Sequence, residues 1–345
     1  MEEVTGTTCL PLVRDEVWVT VEETAQVGRA RRAATSLAER LGFDATRTAE
    51  VGLAVTEVGT NLYKHAQQGV VLIRTIRGER DAAIEIVALD RGPGIGDLTL
   101  AQQDGQSTTG TLGVGLGAVA RLATTCSMTS QLGRGTALVA RFLLAADREP
   151  EWSAEPAAGL TRPIGGEDVC GDAYAVCRSS DRLVLMMCDG SGHGPLAAAA
   201  SELAVRIFRD EPAGQPEAVV ARLHAALRGT RGGAVAVADI DLVTRKVRYC
   251  GLGNIAAAVL ADGRKQGMIS VPGVAGHQAR TIRAFDYVLP ERAVVAMHSD
   301  GLTERWGVDQ AGDLVVDPPV LIAATLLREA GVRNDDACVL VARPA

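Results

Sequence analysis

Basic residues are the scarcer charge in this 345-residue chain: Lys plus Arg number 35 against 42 Asp plus Glu, a net charge of -7. A surface of that sign repels a phosphate backbone and no basic tail offsets it, so no nucleic-acid partner is expected. Apolar runs are all too short or too interrupted to cross a bilayer, so no membrane partner is expected either. The opening Met-Glu-Glu-Val lacks the basic start and apolar stretch of a secretory signal, and the expected location is cytoplasmic. Seven cysteines (Cys9, Cys126, Cys170, Cys177, Cys188, Cys250 and Cys338) are odd in number and contain no CxxC pair. That pattern reads as buried thiols in a reducing compartment. Aromatic residues are only 3%, and neither an internal repeat nor a low-complexity tract is present.

What the chain does have is length and glycine. At roughly 100 to 200 residues per domain, it is expected to form two domains, each burying its own core. The segment Ala145 to Leu160 is rich in acidic residues, Ala and Pro and lacks strand alternation, which predicts domains at 1–145 and 161–345 with a linker at 146–160. In the first part, Val27, Ala30, Ala34, Leu37 and Leu41 share one helical stripe, and a second helix is expected from Ala45 to Ala66. Strands are expected at Val17–Val21, from Val70 and from Ala82, then a helix near Gly117–Ala123 and two more strands. Helices should cover one face of a mixed sheet. In the second part, helices are expected at Pro195–Phe208, Pro216–Leu227 and Pro319–Glu329 among strands that include AYAVC, RLVLMMCD, ARTIRAF and RAVVAMHSD. An α/β sandwich accommodates that order.

The 38 glycines concentrate in a few clusters, and the chemistry is legible there. Glu57 and Asn61 stand four apart on the second helix and project from one face, with Lys64 and His65 a turn further on. A carboxylate and an amide so placed can hold a hydrated divalent cation; a solvated polar face explains the spacing too. Asp90 ends a strand and opens DRGPGI, where an acid can accept a purine amine and Gly92 and Gly94 let a ring approach the backbone, although a simple turn has the same composition. Gly113, Gly115 and Gly117 run into helix-compatible sequence, aiming free N–H groups at an anion. Gly133-Arg134-Gly135-Thr136 precedes the last strand of this part.

In this order EVGTNLYKHA, DRGPGI, GVGLG and GRGT resemble the motif boxes of the GHKL (Bergerat) ATPase fold, and most nearly the bacterial anti-sigma and stressosome serine kinases of the RsbT and RsbW type. The resemblance covers about residues 15 to 144. It implies that Asn61 binds Mg2+, Asp90 reads adenine, and Gly113, Gly115 and Gly117 wrap the phosphates of ATP, with Lys64, Gly92, Gly94 and Thr136 in the same nucleotide set. Glu57 would orient or deprotonate the attacking hydroxyl, and Asp97 to Leu112 would form a lid.

In the second part aspartates recur beside glycines: Gly171-Asp172, Asp189-Gly190 in CDGSGHG, Asp300-Gly301 in HSDGLTE, and Asp335-Asp336 in RNDDACVLV. Any one of them could mark a strand-connecting turn. Two carboxylates about 4 Å apart repel by about 4 kcal/mol at an effective dielectric of 20, so a converging set needs a cation or must take up protons. Hard oxygen donors favour Mg2+ or Mn2+.

The ordered set GGEDVCGD, DGSGHG, SDGLTE and NDDA resembles the SpoIIE and RsbX branch of the protein phosphatase 2C family, an α-β-β-α sandwich. The resemblance implies two Mn2+ or Mg2+ ions, with Asp189 bridging both, the Gly190 carbonyl on one, Asp300 and Asp335 on the other, and Asp172 acting mostly through water. Asp336 would lie outside that set, and Cys338 stands where many relatives carry Thr, so a hydroxyl contact would be missing. His193 would contact phosphate, protonate the leaving group, or only shape its turn. Gly251-Leu252-Gly253-Asn254 is nearer RsbX than the larger SpoIIE phosphatases, which suggests a small phosphoprotein substrate.

Together the two resemblances imply a bacterial partner-switching regulator. Its phosphatase would act on a phosphorylated STAS-domain antagonist or stressosome phosphoprotein, and its ATP-binding domain would phosphorylate that partner or dock on it. Alternatively, ATP binding would only regulate docking or phosphatase activity, or the chain would sequester a sigma factor or engage a downstream phosphatase. Kinases of the RsbW type dimerise, which extends the expectation to a homodimer.

Overall fold

The computed structural model describes residues 6–78, 81–98, 115–144, 155–165, 167–306, 316–332 and 334–344. They form two compact units, one spanning Pro11–Ala154 and the other combining the first ten residues with Glu155–Ala345. The expected boundaries shift accordingly. Strand β1 (Thr8–Cys9) belongs to the C-terminal unit, and the expected linker ends early, because Ala157 already begins a strand. No helix among the described residues is long and apolar enough to cross a membrane.

The N-terminal unit holds strand β2 (Leu12–Thr20), helices α1 (Thr24–Leu41) and α2 (Ala45–His65), strands β3 (Val70–Arg77) and β4 (Ala82–Leu89), helix α3 (Gly115–Leu122), and strands β5 (Thr125–Gln131) and β6 (Gly135–Leu143). The strands form one antiparallel sheet in the order β2-β3-β4-β6-β5. Local chemistry sets the helix ends: Gly42, at φ 87°, closes α1, and the Asp44 carboxylate accepts the Arg47 N–H at 2.7 Å to open α2. Of the predicted stripe, Val27, Ala30, Ala34 and Leu37 are buried and Leu41 partly so, packed with Val51, Ala54, Val55, Val58 and Leu62 of α2 against alternate residues of β3, β4 and β6. Each fully buried Val, Leu or Ile side chain contributes about 1.5–3 kcal/mol, so this layer holds α2 in place.

The C-terminal unit is an α-β-β-α sandwich. Its strands are β7 (Ala157–Arg162), β8 (Asp172–Arg178), β9 (Arg182–Gly190), β10 (Gly233–Asp241), β11 (Lys246–Leu252), β12 (Ala256–Ala261), β13 (Arg264–Met268), β14 (Ser270–Val271), β15 (Phe285–Val288), β16 (Val294–His298) and β17 (Ala337–Ala342). Its helices are α4 (Pro195–Asp210), α5 (Pro216–Ala226) and α6 (Pro319–Ala330). One sheet runs β1-β8-β9-β10-β11-β14 with β15 beside β11, and the other runs β13-β12-β16-β17-β7. Residues of one face of each sheet share a core that includes Leu185, Ala236, Tyr249, Val259, Val295 and Leu340. Helices α4 and α5 cover the opposite face of the first sheet through Ala200, Ala204, Phe208, Val219 and Leu223.

Three expectations fail here: the sheet of the N-terminal unit is not mixed, since all its described pairings are antiparallel. ARTIRAF is not one strand, since only Phe285–Val288 pairs, with β11. The cysteines are not all free: Cys9 and Cys177, directly opposed in the β1–β8 pair, are joined in a disulfide. Strand pairing across 168 residues created that contact, which CxxC spacing could not reveal.

Candidate functional site

In the N-terminal unit, helix α2 is the common support. Glu57 and Asn61 are half-buried on it, and the start of α3 comes so close that a Cβ on Gly115 would stand 3.1 Å from Asn61 Nδ2 and 3.4 Å from Glu57 Oε2. Gly117 is buried in α3. At the end of α2 the DRGPGI loop packs against His65 and Ala66: a Cβ on Gly92 would lie 3.1 Å from both the Ala66 Cα and the His65 carbonyl. Asp90 is 9% exposed, and its Oδ1 accepts the Gly92 N–H at 2.6 Å.

The β5–β6 hairpin fastens the same loop. Asp90 N donates to Thr136 O at 3.0 Å and Gly133 N to Pro93 O at 2.8 Å. Ser130 Oγ lies 2.9 Å from Thr136 Oγ1 and accepts the Ile95 N–H at 2.7 Å. Gly135 sits at φ 87°, and a side chain there would collide with the Asp90 carbonyl. The geometry therefore brings Glu57, Asn61 and Gly115 together, and Asp90, Gly92, Gly94 and Thr136 together, at α2. Lys64 is exposed on α2 without a described contact to either group. Gly113 and positions 99–112 of the expected lid lie outside the described residues. Sequence reading missed Ser130, an ordinary strand residue whose partners appear only when the hairpin closes.

In the C-terminal unit, four distant acids reach one end of the sandwich through strand register. Asp172 opens β8 and faces Asp189, near the end of β9, in the antiparallel pair. Asp300 follows the end of β16, and Asp335 precedes the start of β17, its antiparallel neighbour. Asp189, Asp300 and Asp335 line a cavity of about 580 Å³ with Ser191, Gly192, Asn254 and Ser270.

Asp189 faces Asp172 across the β8–β9 pair and feels the charges of Asp300 and Asp335 as well. Burial, followed by the charges of Asp172, Asp300 and Asp335, pushes Asp189 well above the ordinary carboxylate range. Burial also raises Asp172, aided by Asp336, against the Ser299 hydrogen bond that favours its ionised form. Asp300 is raised by burial and by Asp335, against hydrogen bonds from Asp189 and Asn254. Among the described residues none of the four has an ion-pair partner. As they stand, no three His, Cys, Asp or Glu side chains among the described residues are grouped closely enough to hold a metal ion. Hard carboxylate oxygens without a cationic partner have the donor chemistry that divalent cations take, and cations drawn to them would relieve their mutual repulsion.

Neighbouring groups orient the acids. Ser299 Oγ donates to Asp172 Oδ2 at 2.6 Å and accepts the Cys338 N–H at 2.9 Å. A hydroxyl thus does reach this place, from Ser299 rather than from position 338. Buried His298 contacts the Ser299 carbonyl through Nδ1 at 2.8 Å and accepts the Trp306 indole N–H at Nε2. Asn254 Nδ2 donates to Asp300 Oδ2 at 2.7 Å. Asp336 points away, its two oxygens accepting the Ile164 and Gly171 N–H groups at 2.7 and 2.8 Å. Exposed His193 contacts Glu167 through Nδ1 at 2.9 Å. Gly190 lies at the end of β9, its N–H donating to the Gly171 carbonyl at 3.2 Å. Ser299 stands beside Asp300 in HSDGLTE, a signal available in the sequence; the roles of Asn254 and Trp306 needed the fold.

Residues 20–142 match the histidine kinase-like ATPase domain family, and residues 179–344 match stage II sporulation protein E (SpoIIE). Asp189, Asp300 and Asp335 fall within the second match, and Asp172 lies just before it. The serine/threonine-protein kinase RsbT of Bacillus subtilis (strain 168) is 33% identical over 128 residues, 37% of this chain and 96% of RsbT. The phosphoserine phosphatase RsbX of the same organism is 26% identical over 90 residues, 26% of this chain and 45% of RsbX. A solved chain described under the bacterial stressosome, a modular system adapted to control secondary messenger signaling, is similar with a TM-score of 0.50 and 28% identity. That similarity covers 54% of this chain and 98% of the solved one.

Proposed function

The chain belongs to the RsbT serine/threonine-protein kinase family through its N-terminal unit and carries a SpoIIE-type protein phosphatase 2C domain in its C-terminal unit; from this premise we propose that it is a partner-switching regulator that dephosphorylates a phosphoserine or phosphothreonine of a STAS-domain antagonist. The observation that carries the proposal is the convergence of Asp172, Asp189 and Asp300, with Asp335 on the same cavity and, among the described residues, no ion-pair partner for any of the four. Asp189, Asp300, Asp335 and the Gly190 carbonyl would hold two Mn2+ or Mg2+ ions, with Asp172 contributing through water. When bound, such ions supply Lewis acidity and charge neutralisation for hydrolysis at phosphorus. The chain's own part is positional. Asp189 lies between its two neighbours, Ser299 holds Asp172 against the start of β17, and Asn254 fixes one oxygen of Asp300.

The N-terminal unit would bind ATP with Mg2+. Asn61 would hold the cation, Asp90 would accept the adenine amine, and Gly115 and Gly117 would present the start of α3 to the phosphates. Glu57, beside Asn61 and Gly115, would orient the hydroxyl of the partner protein that receives the phosphoryl group.

Two assays test these readings separately. Purified protein incubated with a phosphorylated STAS-domain protein and Mn2+ should release phosphate, and Asp189→Ala should not; absence of release from the wild type overturns the phosphatase reading. Labelled γ-phosphate should pass from ATP to the unphosphorylated STAS-domain protein and fail to pass with Glu57→Ala. Tight ATP binding without transfer would leave the unit as a nucleotide-responsive docking module.

A further inference from the structure

The loop between α5 and β10 brings an arginine against Gly192, on the wall of the acid-lined cavity. Gly192 lines that cavity beside Ser191 and Asp189, and a Cβ built on it would stand 3.1 Å from Arg231 Nη1. The guanidinium therefore lies directly against the backbone at the cavity wall. It is exposed, and among the described residues no side chain pairs with it: the bond at this residue is to its carbonyl, 3.1 Å from His277 Nε2.

Its backbone, by contrast, is held from several sides. Thr230 Oγ1 donates to Leu227 O at 2.7 Å and accepts the Gly232 N–H at 2.9 Å. Ser191 N donates to Gly232 O at 2.9 Å, and Gly233 exchanges backbone hydrogen bonds with Ala275 at 3.1 and 2.7 Å. A cation without a described side-chain partner thus projects from a fixed loop against Gly192, a residue of the wall that Asp189, Asp300 and Asp335 also line.

Resting on the phosphatase reading above, we infer that Arg231 is the phosphate-anchoring residue of the C-terminal site, binding the non-bridging oxygens of a phosphate monoester on a protein side chain. Three carboxylates on one wall repel a dianion, and divalent ions bound to them face only part of the phosphate. A guanidinium offers two parallel N–H donors matched to two phosphate oxygens, which an ammonium cannot. The small Gly192 leaves the room in which the guanidinium sits, and a larger residue there would press on it.

The test compares wild type, Arg231→Ala and Arg231→Lys in the full chain with Mg2+. Three quantities are read: binding of inorganic phosphate by calorimetry, KM and kcat on p-nitrophenyl phosphate, and KM on a phosphorylated STAS-domain protein. Arg231→Ala should weaken phosphate binding about tenfold, as expected for losing hydrogen bonds from a charged group, and should raise both KM values by a similar factor. Arg231→Lys should recover only part of the loss, and Mg2+ affinity should stay unchanged in both variants. Unaltered phosphate affinity in Arg231→Ala overturns the inference. So does a rise in KM for the phosphoprotein alone, which would make Arg231 a contact for the partner's surface. A wild type that binds phosphate but hydrolyses nothing would defeat the phosphatase reading while leaving the anchor intact, so the two failures are distinguishable.

Discussion

In the N-terminal unit Glu85 is completely buried, yet Arg74 Nε donates to its Oε1 at 2.7 Å, and Arg141 Nε and Nη2 donate to its Oε2 at 3.0 and 2.7 Å. The three residues stand in one cross-strand row of β3, β4 and β6. Burial pushes the Glu85 carboxyl up, but the two arginine charges and their hydrogen bonds prevail and hold it below the ordinary 4.5. In the C-terminal unit Asp189 is also withdrawn from water, but its neighbours are acids and it is driven upward. A buried carboxylate with its cations supplied by the chain is a structural element. One whose neighbours repel it must take up a proton or draw in positive charge, which is the electrostatic mark of a site rather than of a scaffold.

The sharpest way to break this contrast is Asp189→Ala. It should cut phosphate release on the order of 1,000-fold, the loss seen when a central electrostatic group is removed, while circular dichroism shows an intact fold. If activity persists, the acidic series is not the reaction centre.

Next in size is Glu85→Gln, which leaves two buried arginines uncompensated and should destabilise the N-terminal unit by about 3 kcal/mol in urea unfolding. The same group gives a pH dependence. Because its folded value is lowered, its stabilisation is fully present above 4.5 and is lost as the pH falls through the lower folded-state value. Acid titration should therefore destabilise the wild type, and Glu85→Gln should lack that component.

Asp90→Ala should weaken ATP binding about tenfold by calorimetry, since it removes a hydrogen-bonding carboxylate from a site fastened by the hairpin. The smallest effect is expected for Asn254→Ala: Asp300 loses one orienting hydrogen bond, and Mn2+ affinity should fall a few-fold with no change in melting temperature. A lower melting temperature with unaltered Mn2+ affinity would make Asn254 structural.

Legibility in the sequence followed the range of the physics. Helix α1 showed as the stripe Val27, Ala30, Ala34 and Leu37, and Asp189 and Asp300 showed as strand-end acids beside glycines, because helical and strand periods are local. Strand β1 was illegible: its two residues have meaning only opposite Arg178 and Cys177. Asp335 and Asp336 are adjacent and chemically alike, yet Asp335 lines the cavity while Asp336 accepts the Ile164 and Gly171 N–H groups. Nothing in their order distinguishes them beyond the resemblance to a known family.

From composition and periodicity came two domains and the inventory of acids, amides and glycines from which their sites are built, and the resemblance of their motifs to known families implied the type of each. Tertiary structure decided the rest: that β8 pairs β9 and β16 pairs β17 so that four acids reach one end of the sandwich, that Cys9 meets Cys177, and that Arg231 lies against Gly192. The division has one cause. Backbone propensity and amphipathic pattern act within a few residues, whereas the electrostatics of a site depends on which distant side chains strand register and loop anchoring bring within a few ångströms of one another.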